Sequence, residues 1–153
     1  MDAEPAPDPT PDPTTSRTSH DVVVAFLDAL QALDVDAASA LMAPDISYRN
    51  VPFPAVRGPR ATVAVLRSFL VLAKGFEVEM LAIAADGDTV LTERIDTFVN
   101  GPVRVGFWVC GTFEVRDGRI TVWRDRFDTA DLTVAIVRGL LLAPVRMLGG
   151  RRA

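Results

Sequence analysis

A chain of 153 residues, 49% apolar and 24% charged, has the length and composition of one soluble globular domain with a real core. Its formal net charge of -4, without a basic stripe of interleaved aromatics, argues against nucleic acid as a partner. The single cysteine, Cys110, rules out a disulfide within the chain, and the single histidine, His20, is all that a His-based metal site or a Ser-His-Asp triad would have to draw on.

Residues 1–17 hold five prolines and the acids Asp2, Glu4, Asp8 and Asp12 against Arg17. They carry no large apolar run, so they are expected to form a disordered or polyproline-like tail, and they lack the basic start and apolar centre of a signal peptide. The tail contributes three of the four net negative charges, which leaves the folded part close to neutral. A domain of residues 18–148 is expected to follow, and then a basic tail over 149–153. Thr18 or Ser19 is placed to cap a first helix with Asp21 in its first turn. Val23, Phe26, Leu27, Leu30 and Leu33 recur behind it at helical spacing. A short second helix is expected over 36–42, broken by Pro44-Asp45.

Residues 46–51 read as a short strand on which Tyr48 and Asn50, two apart, share a face. Gly58-Pro59 opens a third helix over 59–74, with Val63, Leu66, Phe69 and Leu70 in one stripe and Gly75 at its end. Four long strands follow, over 77–84, 89–99, 103–115 and 120–127. Asp86-Gly87, Asn100-Gly101 and Asp117-Gly118 separate them, each a favoured hairpin turn. This pattern predicts an antiparallel meander, with Gly106 and Gly111 marking bulges or strong curvature inside one strand. A long curved sheet with helices packed into one side makes an α+β cone with a closed interior. The apolar segment 130–148 is too short and too interrupted to span a membrane. It is expected to be a final helix that closes the cone or packs in a dimer.

Two strands carry the chemistry. Arg94, Asp96 and Phe98 point one way along residues 91–98, and Trp123, Asp125 and Phe127 share one face of the last strand. If both faces look into one cavity, two carboxylates lie beside one arginine in apolar surroundings. Such a cluster costs free energy unless its charges compensate one another, and clusters of this kind usually do chemistry. Read singly, the residues have plainer explanations. Arg94 with Asp96 would be an inward ion pair, Asp125 a solvated strand residue among Arg124, Arg126 and Asp128, Trp123 a core residue, and Cys110 a packing residue beside Trp108.

Taken together, Tyr48-x-Asn50, Arg94-x-Asp96 and the Trp123-Arg124-Asp125 run, on elements in this order, resemble the limonene-1,2-epoxide hydrolase family. That family is a branch of the cone-shaped NTF2-like (cystatin-like, SnoaL-like) superfamily, which also holds nuclear transport factor 2, scytalone dehydratase and ketosteroid isomerase. The resemblance covers about residues 19–142. It implies an epoxide hydrolase that adds an activated water directly to a lipophilic epoxide, giving a vicinal diol with no covalent intermediate, no cofactor and no metal. It further implies Asp125 as general base, Asp96 as general acid, Arg94 between them, and Tyr48 and Asn50 holding the water. Spacing alone does not say which aspartate is the base. One departure is visible: the family often has a tyrosine after Trp-Arg-Asp, where this chain has Arg126, which by alternation faces away from Asp125.

Two carboxylates around one cation resist joint ionisation when buried, so they are expected to share one proton and to titrate as a set. Phe98 and Phe127 share faces with the aspartates and are expected to line the cavity, with Phe107 and Val109 added from the neighbouring strand. Such walls favour a bulky lipophilic substrate. The alternatives are a proton-transfer enzyme of the ketosteroid isomerase type, with an aspartate as base and Tyr48 on an enolate oxygen, and a non-catalytic module that binds lipophilic ligands. A homodimer in the cytoplasm, with no nucleic-acid partner and no membrane span, completes the expectation.

Overall fold

The computed structural model describes residues 17–149. The two expected tails, apart from Arg17 and Gly149, lie outside the described residues. The order of elements is α1 (Ser19–Gln31), α2 (Val35–Ala40), β1 (Met42–Val51), β2 (Val56–Arg57), α3 (Pro59–Leu72), β3 (Gly75–Asp86), β4 (Thr89–Asn100), β5 (Val103–Arg116), β6 (Arg119–Arg126) and α4 (Thr129–Gly149).

Helix α1 begins where its capping residues dictate. The Asp21 N–H donates to Thr18 Oγ1 at 3.2 Å and the Thr18 N–H donates back to Asp21 Oδ2 at 3.3 Å, a reciprocal capping box. Behind the cap the helix buries Val22, Val23, Phe26, Leu27 and Leu30 against the sheet. Helix α2 starts on Asp34, whose carboxylate accepts from the Ala37 N–H at 2.9 Å. Helix α3 starts at Gly58, whose φ of 81° a side chain would strain, with Pro59 in its first turn.

The sheet has six strands in the order β2-β1-β6-β5-β4-β3. The meander β3-β4-β5-β6 is antiparallel throughout. Its last hairpin turns on Asp117 and Gly118, with φ of 52° and 71°, the doubly left-handed pair that a two-residue turn between right-twisted strands requires. In the other two hairpins the turn lies one residue later than expected, at Gly87-Asp88 and Gly101-Pro102, with Gly87 and Gly101 both at a φ of 56°.

Three further expectations are corrected, and one strand, β2, was not expected. Strand β1 starts at Met42 rather than 46 and carries Pro44 within it; the register with β6 slips between Met42 and Ser47, and an irregular stretch is where a strand tolerates a proline. Strand β2 is too short to leave a sequence pattern. Gly75 does not close α3: the helix stops at Leu72 and Gly75 opens β3, where a Cβ would lie only 3.3 Å from that of Val99. Gly106 and Gly111 mark no bulge, since β4 and β5 pair in unbroken register from Thr89↔Glu114 to Asn100↔Val103.

Strand β1 runs parallel to β6, which a meander alone does not anticipate. Helices α1 and α3 sit on the inner side of the curved sheet. Strand β6 ends opposite Cys110, and α4 packs against β5. Its approach is close because residue 139 is glycine: a Cβ there would sit 2.6 Å from the Arg104 carbonyl oxygen. None of the helices among the described residues is long and apolar enough to cross a membrane.

Candidate active site

Alternation along β4 puts Val90, Thr92, Arg94 and Asp96 on the inner face, and all four are buried. Strand β6 brings Trp123 and Asp125 to the same side. Simple alternation from Ile120 would have turned Trp123 outward, but a register slip between Glu114 and Val115 of β5 lets Ile120 and Trp123, three apart, both face in. The parallel pairing of β1 with β6 then sets Tyr48 beside Trp123 and Asn50 beside Asp125. The Tyr48 and Trp123 rings stack with centroids 4.1 Å apart, and Phe26 meets Trp123 edge-on at 4.9 Å.

These residues surround one guanidinium. Arg94 is 1% exposed. Its Nε donates to Asp96 Oδ1 at 2.9 Å, its Nη2 to Asp125 Oδ2 at 2.6 Å and its Nη1 to Thr92 Oγ1 at 2.9 Å. A cation buried this deeply is tolerated because all three nitrogens are satisfied and two carboxylates compensate its charge. Asn50 Nδ2 donates to the Tyr48 hydroxyl oxygen at 2.6 Å, which leaves the hydroxyl hydrogen free to donate elsewhere. Asp125 Oδ1 and the indole Trp123 Nε1 are buried and complete no hydrogen bond. The indole N–H is nevertheless close enough to Asp125 to favour its charged form.

Burial dominates the electrostatics. It pushes the Asp96 carboxyl up to about 6; Arg94 opposes this and the Asp125 charge reinforces it. Burial likewise raises Asp125 above the ordinary carboxylate range, against the pull of Arg94. The Tyr48 hydroxyl is raised by burial and then by Asp125, so it stays protonated at any working pH. Arg94 stays charged because the two aspartates outweigh its loss of hydration. One cation thus faces two carboxyls, both of which hold protons more tightly than a solvated aspartate.

Above this cluster lies a cavity of about 110 Å³, lined by the helices and the inner face of the sheet. Tyr48, Asn50, Arg94, Asp96 and Asp125 supply its polar groups, and the rest of its lining is apolar except for the indole N–H of Trp123. Phe98, Phe107, Phe127 and Val109 all belong to the wall. Phe107 stacks on Phe98 at 5.9 Å and meets Phe127 edge-on at 5.6 Å, so β4, β5 and the residue that follows β6 contribute to one aromatic belt. All nine residues picked from the sequence therefore meet at one place.

Other members were missed. Phe69 of α3 and Phe76 of β3 extend the belt, each packing on Phe98, at 5.8 and 5.2 Å. Leu33 and Leu70 also line the cavity. Leu33, Phe69 and Leu70 stand at the ends of the apolar stripes read from the sequence, and none of the three belongs to the buried core. Gly111 marks no bulge, and its missing side chain serves the site instead. Arg94 on β4 reaches Asp125 on β6 across the intervening β5, and Gly111 is the β5 residue paired with both Thr92 and Asp125. A Cβ at Gly111 would fall 2.5 Å from Thr92 Oγ1 and 3.0 Å from Asp125 Oδ1, and closer still to Arg94 Nη1. The glycine is the gap through which the arginine passes.

Other candidates stand apart from this cluster. His20 is at the exposed start of α1 beside Asp21. Cys110 is half-buried on the outer face, in register with Glu93 and Arg126, and Arg126 itself is exposed.

A curved sheet with helices on its inner side, packed over a buried cluster of one arginine and two aspartates beside an apolar cavity, defines an NTF2-like α+β cone. A SnoaL-like protein of Shewanella putrefaciens CN-32 shares this fold at 14% identity, with a TM-score of 0.72 over 78% of this chain and 86% of the other. Residues 17–138 match the limonene-1,2-epoxide hydrolase catalytic domain. The epoxide hydrolase EphG of Mycobacterium tuberculosis (strain ATCC 25618 / H37Rv) is 50% identical over 126 residues, 82% of this chain and 84% of that protein. The structure of an M. tuberculosis LEH-like epoxide hydrolase superposes with a TM-score of 0.76 at 49% identity, over 83% of this chain and 95% of the other. The chain belongs to the limonene-1,2-epoxide hydrolase family.

Proposed function

We propose that this protein hydrolyses a lipophilic epoxide to a vicinal diol by direct attack of water, with Asp125 as base and Asp96 as acid. The enzyme class, an epoxide hydrolase of the limonene-1,2-epoxide hydrolase type, follows from membership of the family. The observation that carries the mechanism is that one guanidinium donates to both aspartates at the polar end of an apolar cavity; which of the two is the base is what the family resemblance implies.

In this reading a water sits between Asp125 Oδ1, which has no partner within the protein, and the Tyr48-Asn50 pair. Asp125 takes a proton from that water as its oxygen bonds to one epoxide carbon. The bond from that carbon to the ring oxygen breaks, and Asp96 protonates the departing oxygen. One proton has entered Asp125 and one has left Asp96, so its return across the pair restores the resting state. Arg94 keeps its charge throughout and is placed to stabilise whichever carboxyl is ionised. The aromatic belt supports a bulky apolar substrate.

Exposed apolar residues on α4 (Val134, Leu141) and on the sheet (Leu91, Trp108) support a homodimer, which light scattering would show as twice the 16.5 kDa chain. The single, half-buried cysteine fits a reducing, cytoplasmic compartment.

The test is a single turnover in heavy-oxygen water with a panel of lipophilic epoxides. Direct attack puts the label in the diol. Label in an aspartate carboxyl would indicate a covalent ester and overturn the mechanism.

A further inference from the structure

Arginine and carboxylate usually meet as a two-pronged pair, with two parallel N–H···O bonds. Arg94 and Asp125 do not. Only Nη2 engages the carboxylate, through Oδ2, while Oδ1 remains buried and unpartnered. The second prong, Nη1, is bound instead to Thr92 Oγ1 at 2.9 Å. Nη1 and Asp125 Oδ1 are neighbours, since both lie around the space where a Cβ of Gly111 would be.

We propose that Thr92 is a positioning residue that holds Nη1 of Arg94 away from Asp125 Oδ1 and so keeps that oxygen free for water, with Gly111 providing the space in which the guanidinium takes this orientation. The proposal rests on the reading of Asp125 as the base. Thr92 is 2% exposed and does not line the cavity, so it acts through Arg94 and not on the substrate. Its hydroxyl is the part that matters. A valine of the same shape would leave Nη1 buried without an acceptor, and the nearest acceptor lacking a partner is Asp125 Oδ1. The arginine would then close on the base as a two-pronged pair and occupy the oxygen that should receive the proton. The ionisable groups facing Arg94 are Asp96 from its own strand, Asp125 from β6 and Tyr48 from β1; α1 and α3 bring only apolar side chains to the cavity.

The experiment compares wild type with Thr92→Val, Thr92→Ser and Gly111→Ala in kcat, KM and pH profile on one lipophilic epoxide. Thr92→Val should lower kcat by ~10- to 100-fold, the range for losing a hydrogen bond to a charged group, with KM unchanged. The acidic limb of its pH profile, set by Asp125, should move to lower pH, because an added bond from arginine favours the charged carboxylate. Thr92→Ser, which restores the oxygen, should return to within about threefold of wild type. Gly111→Ala should lose kcat at least as heavily as Thr92→Val, because its methyl group occupies the space of Nη1. If Thr92→Val does not fold, Thr92→Ala and Gly111→Ala carry the same comparison. A Thr92→Val enzyme with wild-type kcat and pH profile, or one that Thr92→Ser fails to rescue, overturns the proposal. Carboxyl titration of Asp125 by ¹³C NMR separates the two layers. If wild type forms no diol, the hydrolase reading falls, while a lowered Asp125 midpoint in Thr92→Val still supports the positioning role and an unchanged midpoint refutes it.

Discussion

Replacing Arg94 by methionine tests the buried cluster where it is most vulnerable. The change keeps an unbranched apolar stem and removes three donors, at 2.9, 2.6 and 2.9 Å, from Asp96, Asp125 and Thr92. It leaves two buried carboxyls without a cation, and breaking a buried ion network by removing one partner typically costs ~3–5 kcal/mol. In a domain of this size each kcal/mol moves Tm by about 2–4 °C, so a fall of roughly 6–20 °C is expected near neutral pH. The sign of the pH dependence is the sharper test. Burial already raises both carboxyls, and Arg94 opposes that rise in each. Without Arg94 both go higher still, while in the unfolded chain they titrate at about 3.9. The folded variant therefore binds more protons than its unfolded form, and its stability falls as pH rises toward and through those raised values. The loss relative to wild type should be small at pH 5 and large at pH 8, read as Tm by circular dichroism at several pH values. An equal loss at both pH values, or a loss under about 2 °C at pH 8, would refute the reasoning that the arginine offsets two buried charges.

Two further outcomes follow from the same geometry. Asp125→Asn should abolish diol formation, by ~10³-fold or more in kcat, with an unchanged circular dichroism spectrum; the same change removes a charge that raises Asp96, so the Asp96 carboxyl should titrate below its value of about 6 in ¹³C NMR. Phe107→Ala opens the aromatic belt between Phe98 and Phe127, so kcat/KM should rise for a bulkier epoxide relative to a smaller one, at a stability cost toward the low end of ~3–5 kcal/mol because Phe107 is only half-buried; unchanged selectivity across a size series would remove Phe107 from the substrate wall.

How much of this was legible in the sequence depended on how local each cause is. The capping box at Thr18 and Asp21, the turn at Asp117-Gly118, and the alternation that aims Arg94 and Asp96 one way are all written in a few adjacent residues. The meander followed because its hairpins join neighbouring strands. The parallel pairing of β1 with β6 was not legible, because it joins segments about 75 residues apart, and no local pattern encodes their register. That pairing is what carries Tyr48 and Asn50 to Asp125; without it, only the family resemblance linked them. The use of Gly111 was not legible for a related reason. A glycine inside a strand signals a bulge, or a place where another group must pass, and only the register between three strands distinguishes the two. The phase slip that turns Trp123 inward likewise shows only once β5 and β6 are paired.

The most direct measurement on the buried cluster is the titration of the Asp96 and Asp125 carboxyls in the resting enzyme, with ¹³C-labelled aspartate followed by NMR from pH 4 to 9. One arginine between two buried carboxyls predicts two coupled resonances that both titrate above the ordinary aspartate range, Asp96 near the value of about 6 that burial gives it, with a single proton held between the pair over an interval of pH. Two independent titrations near pH 4, leaving both carboxylates ionised across the working range, would contradict it and take away the acid that the proposed ring opening needs.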